Sequence, residues 1–422
     1  MDSNMDISLK RVAVIQIILI SSTLAFFFTG ISVIENPEDY RPEKIARSDR
    51  KGTIYGYAFL DWEILMPNSA VAEEYMDLAA KSLNCCYVHC KWSTVCPTND
   101  TLNYNYLNNL SLFIEGMAER DVQVVIYAWV SAYSPEWMFE YTPELQDSVT
   151  GKAKTCWYGI DPNDPDPNVQ EHRRYLKYSM LNYYDNLSQY FIDNGLMDNI
   201  TGWNLDDETN IDPNSPDGQS YWNDFFTEIT ELLHAKHADW DVQAMFLHEE
   251  TYKIAGIAGF DINAFDAYCQ DMELIQRIKY SYEKSGVDRC SVLLSAMYLE
   301  DDTVSLIRMR RLAWISWFMG VDSVGWYSFY YGTQPDESWT CAIIHLDEDP
   351  LLGPDRTTKT DQTEAVARDF YILNSAWDQL ESVGRTTSEG RSLEKKLLKS
   401  YKLAKASKLD QARDLIEEAF DL

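Results

Sequence analysis

Basic residues are scarce in this chain. Lys and Arg total 36 against 67 Asp and Glu, a formal net charge of −31 over 422 residues. A phosphate backbone would meet broad repulsion, which counts against nucleic acid as a partner, and the acidity itself suits a solvated surface in high salt. No Gly-x-Ser-x-Gly elbow and no glycine-rich phosphate loop occur, so serine-hydrolase and nucleotide chemistry drop out. The six histidines form no His-Glu-x-x-His pair. The eight cysteines contain no Cys-x-x-Cys and fit no zinc spacing, so they read as buried thiols with one or two disulfides. Neither a metal nor a cofactor is expected. With 45% hydrophobic and 13% aromatic residues, the chain is neither disordered, collagen-like nor a multi-span membrane protein.

Long apolar runs are also absent, with one exception. Val12 to Ile34 holds no charged residue over 23 positions, enough to cross a bilayer core of roughly 30 Å. Lys10 and Arg11 precede it, so residues 1–34 read as a cytoplasmic tip and single-pass anchor that leaves the rest of the chain outside the cell. A cleaved signal, giving a secreted protein, is the alternative. Sequons at Asn99, Asn109, Asn186 and Asn199 agree with export. Residues 35–51, rich in charge and proline, read as a stalk.

From residue 52 a beat begins. Apolar or β-branched runs at Thr53–Leu60, Cys85–Lys91, Val122–Val130, Ile200–Asp206, Val242–His248, Ala264–Cys269, Ser291–Met297 and Asp322–Ser328 alternate with amphipathic stretches. The fifth unit has the shortest helix. Eight strand–helix units predict an α/β (β/α)8 TIM barrel over residues 52–387. Helical periodicity over Ser392–Ala406 and Leu409–Phe420, with a Ser-x-x-Asp start at Ser407, predicts a C-terminal helical hairpin over 388–422 that packs on the barrel or a neighbouring subunit. The sequence specifies no oligomeric state.

Barrel sites lie at the C-terminal ends of the strands. There the sequence places Asp61 and Trp62, then Trp92, Trp129, and the run Asp206-Asp207-Glu208. Later ends add His248 and Glu250, Tyr268, Tyr298 with Glu300, and Trp326 with Tyr330. Acids supply a proton donor and a group that stabilises charge at an anomeric carbon, while aromatic faces suit sugar rings. Period-two alternation puts Asn204, Asp206 and Glu208 on one face of the fourth strand, with Trp203, Leu205 and Asp207 on the other. The polar set should face the barrel axis, with Glu208 outermost as proton donor.

This segment resembles the fourth-strand signature of chitinase-like glycosidases, Asp-x-x-Asp-x-Asp-x-Glu. Asp206 and Glu208 match its last two acids, and Thr201 and Asn204 stand in place of the first two. Tyr268 falls where that group carries a tyrosine that contacts an N-acetyl group, with Asp266 and Cys269 replacing its Met and Asp. Trp326 falls where it carries a substrate-floor tryptophan. The resemblance implies a barrel glycosidase in which Glu208 protonates the glycosidic oxygen and Asp206 orients an acetamido group. A two-carboxylate retaining reaction, with Glu300 or Glu250 as nucleophile, is the competing mechanism. The expectation is therefore a hydrolase acting on a poly- or oligosaccharide. A catalytically silent barrel that binds surface glycan or serves the cell envelope is the alternative.

Overall fold

A computed structural model describes residues 53–58, 69–99, 101–128, 130, 134–140, 165–206, 222–246, 251–267, 271–295, 303–327, 344–346, 354–356 and 358–422. The described elements follow the expected beat. Strand β1 (Thr53–Ala58) leads to α1 (Ser69–Ser82), and β2 (Cys85–His89) to the short α2 (Trp92–Val95) and α3 (Tyr104–Ala118). Then come β3 (Gln123–Tyr127), α4 (Pro167–Asp193), β4 (Ile200–Asn204), a π turn at Trp222–Thr227 and α5 (Glu228–Lys236). The fifth unit is interrupted: β5 (Asp241–Gln243) and β6 (Met245–Phe246) are separated by Ala244, and its helix α6 (Ile254–Ile257) is one turn long. There follow β7 (Asn263–Ala267), α7 (Asp271–Lys284), β8 (Cys290–Ser295), α8 (Thr303–Phe318) and β9 (Ser323–Tyr327). A small antiparallel pair, β10 (Ile344–Leu346) with β11 (Pro354–Arg356), precedes α9 (Thr358–Val383), α10 (Ser388–Lys405) and α11 (Leu409–Phe420).

The large sheet runs β5-β4-β3-β2-β1-β9-β8-β7-β6, with every pairing parallel. Its two end strands are consecutive pieces of one stretch, so the sheet closes on itself as a barrel of eight. Helix α9 returns to pack on α1 and joins the two ends of the helical ring. Local signals mark the helix starts. Asn103 accepts from the Tyr106 amide, Asp166 caps α4 ahead of Pro167, and Thr387 accepts from the Gly390 amide.

Val12–Ile34 and the stalk lie outside the described residues; among those described, no helix is long and apolar enough to cross a membrane. Cys85, Cys86, Cys90, Cys96 and Cys290 are buried free thiols, so any bridge expected among these five is absent. Burial pushes the Cys85 and Cys96 thiols up to about 12 and raises Cys86 and Cys290 as well, which makes them poor nucleophiles. Cys156, Cys269 and Cys341 lie outside the described residues. Among the described residues no His, Cys, Asp and Glu cluster could hold a metal ion.

The C-terminal helices form the expected hairpin and pack on α8 and α9. Its second helix starts differently from the sequence signature: Ser407 sits at φ 58°, and its hydroxyl accepts from Arg311 Nη1 instead of capping α11. The attachment is polar at its centre. Arg310 (α8) donates through Nη2 to Asp369 (α9) at 2.8 Å and through Nη1 to Asp410 (α11) at 2.8 Å, while Trp314 Nε1 donates to Asp369 at 2.7 Å.

Gly202 on β4 is required by close approach. A Cβ there would lie 2.2 Å from the Asp241 carbonyl oxygen on the neighbouring strand. Because that atom is backbone, Gly202→Ala should force β4 and β5 apart and cost at least about 1–3 kcal/mol, read as a lower denaturation midpoint.

Candidate active site

Cys85, Tyr87, Val125, Tyr127, Met245, Ala264 and Leu293 form one buried cluster. They come from β2, β3, β6, β7 and β8, strands on opposite sides of the cylinder, so they meet at its axis. Alternation then fixes the inner face of each strand. His89, Tyr127, Asn204 and Gln243 occupy one register row near the C-terminal ends of β2 to β5. Asp266, two residues beyond Ala264, is the inner acid of β7.

This row is polar, and its hydrogen bonds run between strands. Gln243 Nε2 donates to the Tyr87 hydroxyl and, at 3.4 Å, to Asn204 Oδ1. Asn204 Nδ2 donates to the Asp206 carbonyl at 2.9 Å, and the Met245 amide donates to the same oxygen at 3.0 Å. The Met245 amide therefore ties the end of β4 to the start of β6 through the Asp206 carbonyl, and Asn204 holds the same carbonyl from within its own strand, bracing the segment that leads to Asp207 and Glu208. Asp206 is fully buried.

His89 stacks on Tyr127, with ring centroids 4.6 Å apart and planes 9° from parallel. Burial, assisted by Lys91, lowers its pKa from 6.5 to about 3, so the ring is neutral wherever the protein is folded near neutrality. The unfolded chain binds a proton at His89 below about pH 6.5 and the folded one only near 3. Stability from this site is thus complete above about pH 6.5 and declines as pH falls toward 3, by up to ~1.4 kcal/mol per pH unit. Comparing denaturation of His89→Asn with wild type across that window should show a shallower acid slope in the variant; equal slopes would contradict it.

Four expected site residues, the buried Asp206 among them, can be placed against this geometry. Asn204 faces the axis, as alternation requires. Trp326 does not. Gly325 pairs with the inward Leu293, so Trp326, one residue on, faces the helical shell, where it is fully buried. Its expected role as a substrate floor is corrected to packing between barrel and helices. Trp92 is corrected too: it is buried in α2, its ring 6.0 Å edge-on from Trp137 and 5.5 Å from Tyr183, whose hydroxyl donates to the Cys90 carbonyl. That ring has no open face for a sugar. Trp203, on the outer face of β4, likewise packs among Tyr184, Phe191 and Trp240.

Asp61, Trp62, Trp129, Asp207, Glu208, His248, Glu250, Tyr268, Tyr298, Glu300 and Tyr330 lie outside the described residues. Inspection of strand ends alone missed Tyr87, Tyr127, Gln243 and the inward side of Asp266. Their signal was present as polar groups at alternate positions within otherwise apolar strands, which a barrel interior accommodates only when they find partners.

No family model matches this sequence, and no curated protein matches it. Solved structures do match in fold. The β-glycosidase BGL167 superposes with a TM-score of 0.51 at 12% identity, over 71% of this chain and 85% of that one. GH5_18 from Streptomyces cattleya, in complex with GlcNAc, gives 0.52 at 12% identity, over 77% and 81%. The β-galactosidase from Bacillus circulans sp. alkalophilus gives 0.56 at 12% identity, over 84% of this chain but only 64% of that one. With closure through the split fifth strand and a polar row at the C-terminal end, the chain has the (β/α)8 barrel fold found in these glycoside hydrolases.

Proposed function

We propose that this barrel hydrolyses glycosidic bonds in a poly- or oligosaccharide, with Glu208 as the proton donor. The observation that carries the reading is the braced end of β4: inward Asn204 holds the chain that continues directly into Asp206-Asp207-Glu208, at the end of the barrel where such sites lie. Likeness to β-glycosidases and a β-galactosidase supports the reaction class.

The groups beneath Asp206 favour two carboxylates over a relay along one strand. Asn204, Gln243 and Tyr87 are two amides and a phenol, none of which is the carboxylate that such a relay uses. Glu208 then acts as acid and base, and Glu300, beyond β8, as nucleophile, with Glu250 the substitute. In a retaining enzyme these carboxyl groups stand about 5 Å apart. The reading includes an outward-facing barrel tethered through Val12–Ile34, or secreted if that segment is removed.

A screen of chromogenic glycosides, N-acetylated ones included, against wild type and Glu208→Gln tests it. Turnover by wild type that Glu208→Gln loses while still binding sugar is the expected result. No turnover by either protein would favour a silent, glycan-binding barrel.

A further inference from the structure

Helix α7 starts at Asp271, only three residues after β7 ends at Ala267, and this corner lies at the end of the barrel where the proposed site belongs. The three residues are Tyr268, Cys269 and Gln270, and Tyr268 is one of the aromatics expected at the site. Arginines hold both flanks of the corner. On the strand side, the buried Arg277 donates through Nη1 to the Asp266 carbonyl at 2.9 Å and through Nη2 to Glu273 at 3.0 Å. On the helix side, Arg311 of α8 donates through Nη2 to Asp271 Oδ1 at 3.0 Å, with its Nε 2.9 Å from Oδ2. Its remaining nitrogen, Nη1, donates at 2.8 Å to Ser407 Oγ, in the turn between α10 and α11. One guanidinium thus joins the C-terminal hairpin to the first turn of α7.

We propose that Arg311 is a positioning residue of the active site, which couples the docked hairpin to the β7–α7 corner and so sets the mouth on the Tyr268 side. The kinetic part of this proposal rests on the hydrolase reading above. Three observations set the contact apart from an ordinary surface pair. A guanidinium facing both carboxylate oxygens fixes orientation as well as distance. Its side chain and that of Asp271 are only 23% and 21% exposed, so solvent screens the pair less than it would at the surface. Ser407 is held at φ 58°, where glycine would be the cheaper residue, and its hydroxyl is what Arg311 takes. Attachment of the hairpin body is provided separately, by Arg310 through Asp369 and Asp410. Arg311 therefore adds a link between the hairpin turn and the site, and acts through Asp271 without touching substrate.

The test compares full-length wild type with Arg311→Met, Asp271→Asn, the double variant, Ser407→Gly and a control, Arg413→Met, whose arginine pairs only with Asp410, Asp414 and Glu417 of its own helix. On chromogenic glycosides, Arg311→Met should raise KM about five-fold or more with kcat within about two-fold, because the fault lies in placing the sugar. The double variant should be no worse than Arg311→Met, since the two residues act as one unit. Ser407→Gly, which removes the hydroxyl without strain at that φ, should shift KM the same way by less. Arg413→Met should leave KM unchanged. Amide exchange of the peptide spanning residues 267–273 should speed up about ten-fold in Arg311→Met and stay at the wild-type rate in Arg413→Met. An unchanged KM in Arg311→Met, an equal rise in Arg413→Met, or wild-type exchange at 267–273 in Arg311→Met overturns the proposal. If wild type turns over no glycoside, the hydrolase reading fails and the exchange rates alone decide the clamp: faster exchange in Arg311→Met supports it, and an equal rate overturns it.

Discussion

Glu208→Gln should lower turnover of alkyl glycosides by about 10²–10⁴-fold, the usual contribution of a positioned general acid. The loss should shrink for aryl glycosides whose leaving group departs without a proton, because only the protonation step is removed. Glu300→Gly should behave differently, failing with good and poor leaving groups alike, because it removes the bond-forming carboxylate. Mass spectrometry after treatment with a slow-turnover fluorosugar should find the adduct on the peptide containing Glu300. An adduct at Glu250 would move the nucleophile to the fifth strand. Unchanged kinetics in Glu208→Gln with both substrate types would end the assignment of that residue.

Asp369→Leu should produce the largest loss of stability, about 3–5 kcal/mol, because it strands a buried guanidinium. Arg310 is 8% exposed and Asp369 fully buried, and the same carboxylate accepts from Trp314. Once Asp369 is gone, Arg310 keeps only Asp410, which is 73% exposed. Asp410→Ala should cost no more than about 1 kcal/mol, since that side chain sits in solvent. The double change Arg310→Met/Asp369→Leu should recover much of the loss, since an apolar pair no longer carries an uncompensated charge. Denaturant midpoints for the three variants would show this order, and a single Asp369→Leu as stable as wild type would show that the pair contributes nothing.

The cylinder was legible because each strand declares itself by β-branched and apolar runs between amphipathic stretches, down to the stunted helix after the fifth strand. Residue-level roles were harder. Alternation read correctly for Asn204, yet the same rule applied to Gly325 and Tyr327 would have turned Trp326 outward; a tryptophan at a strand end was read for its chemistry before its parity. Trp92 was misplaced for another reason: its burial depends on Trp137 and Tyr183, which arrive from distant stretches of chain. The Ser407 signature failed by competition, since Arg311 takes the hydroxyl that would have capped α11. Partners distant in sequence decide such cases, and local spacing does not encode them.

The interrupted fifth strand gives the cylinder a seam. Three residues of β5 pair with β4, two of β6 pair with β7, and a single helical turn covers the stretch that follows. These are the shortest ladders among the described residues, and the bonds from the Leu205 amide to the Gln243 carbonyl and from the Met245 amide to the Asp206 carbonyl carry the pairing across the interruption. Where the staves are shortest, the inward Gln243 and Asn204 side chains add bonds that the ladder lacks.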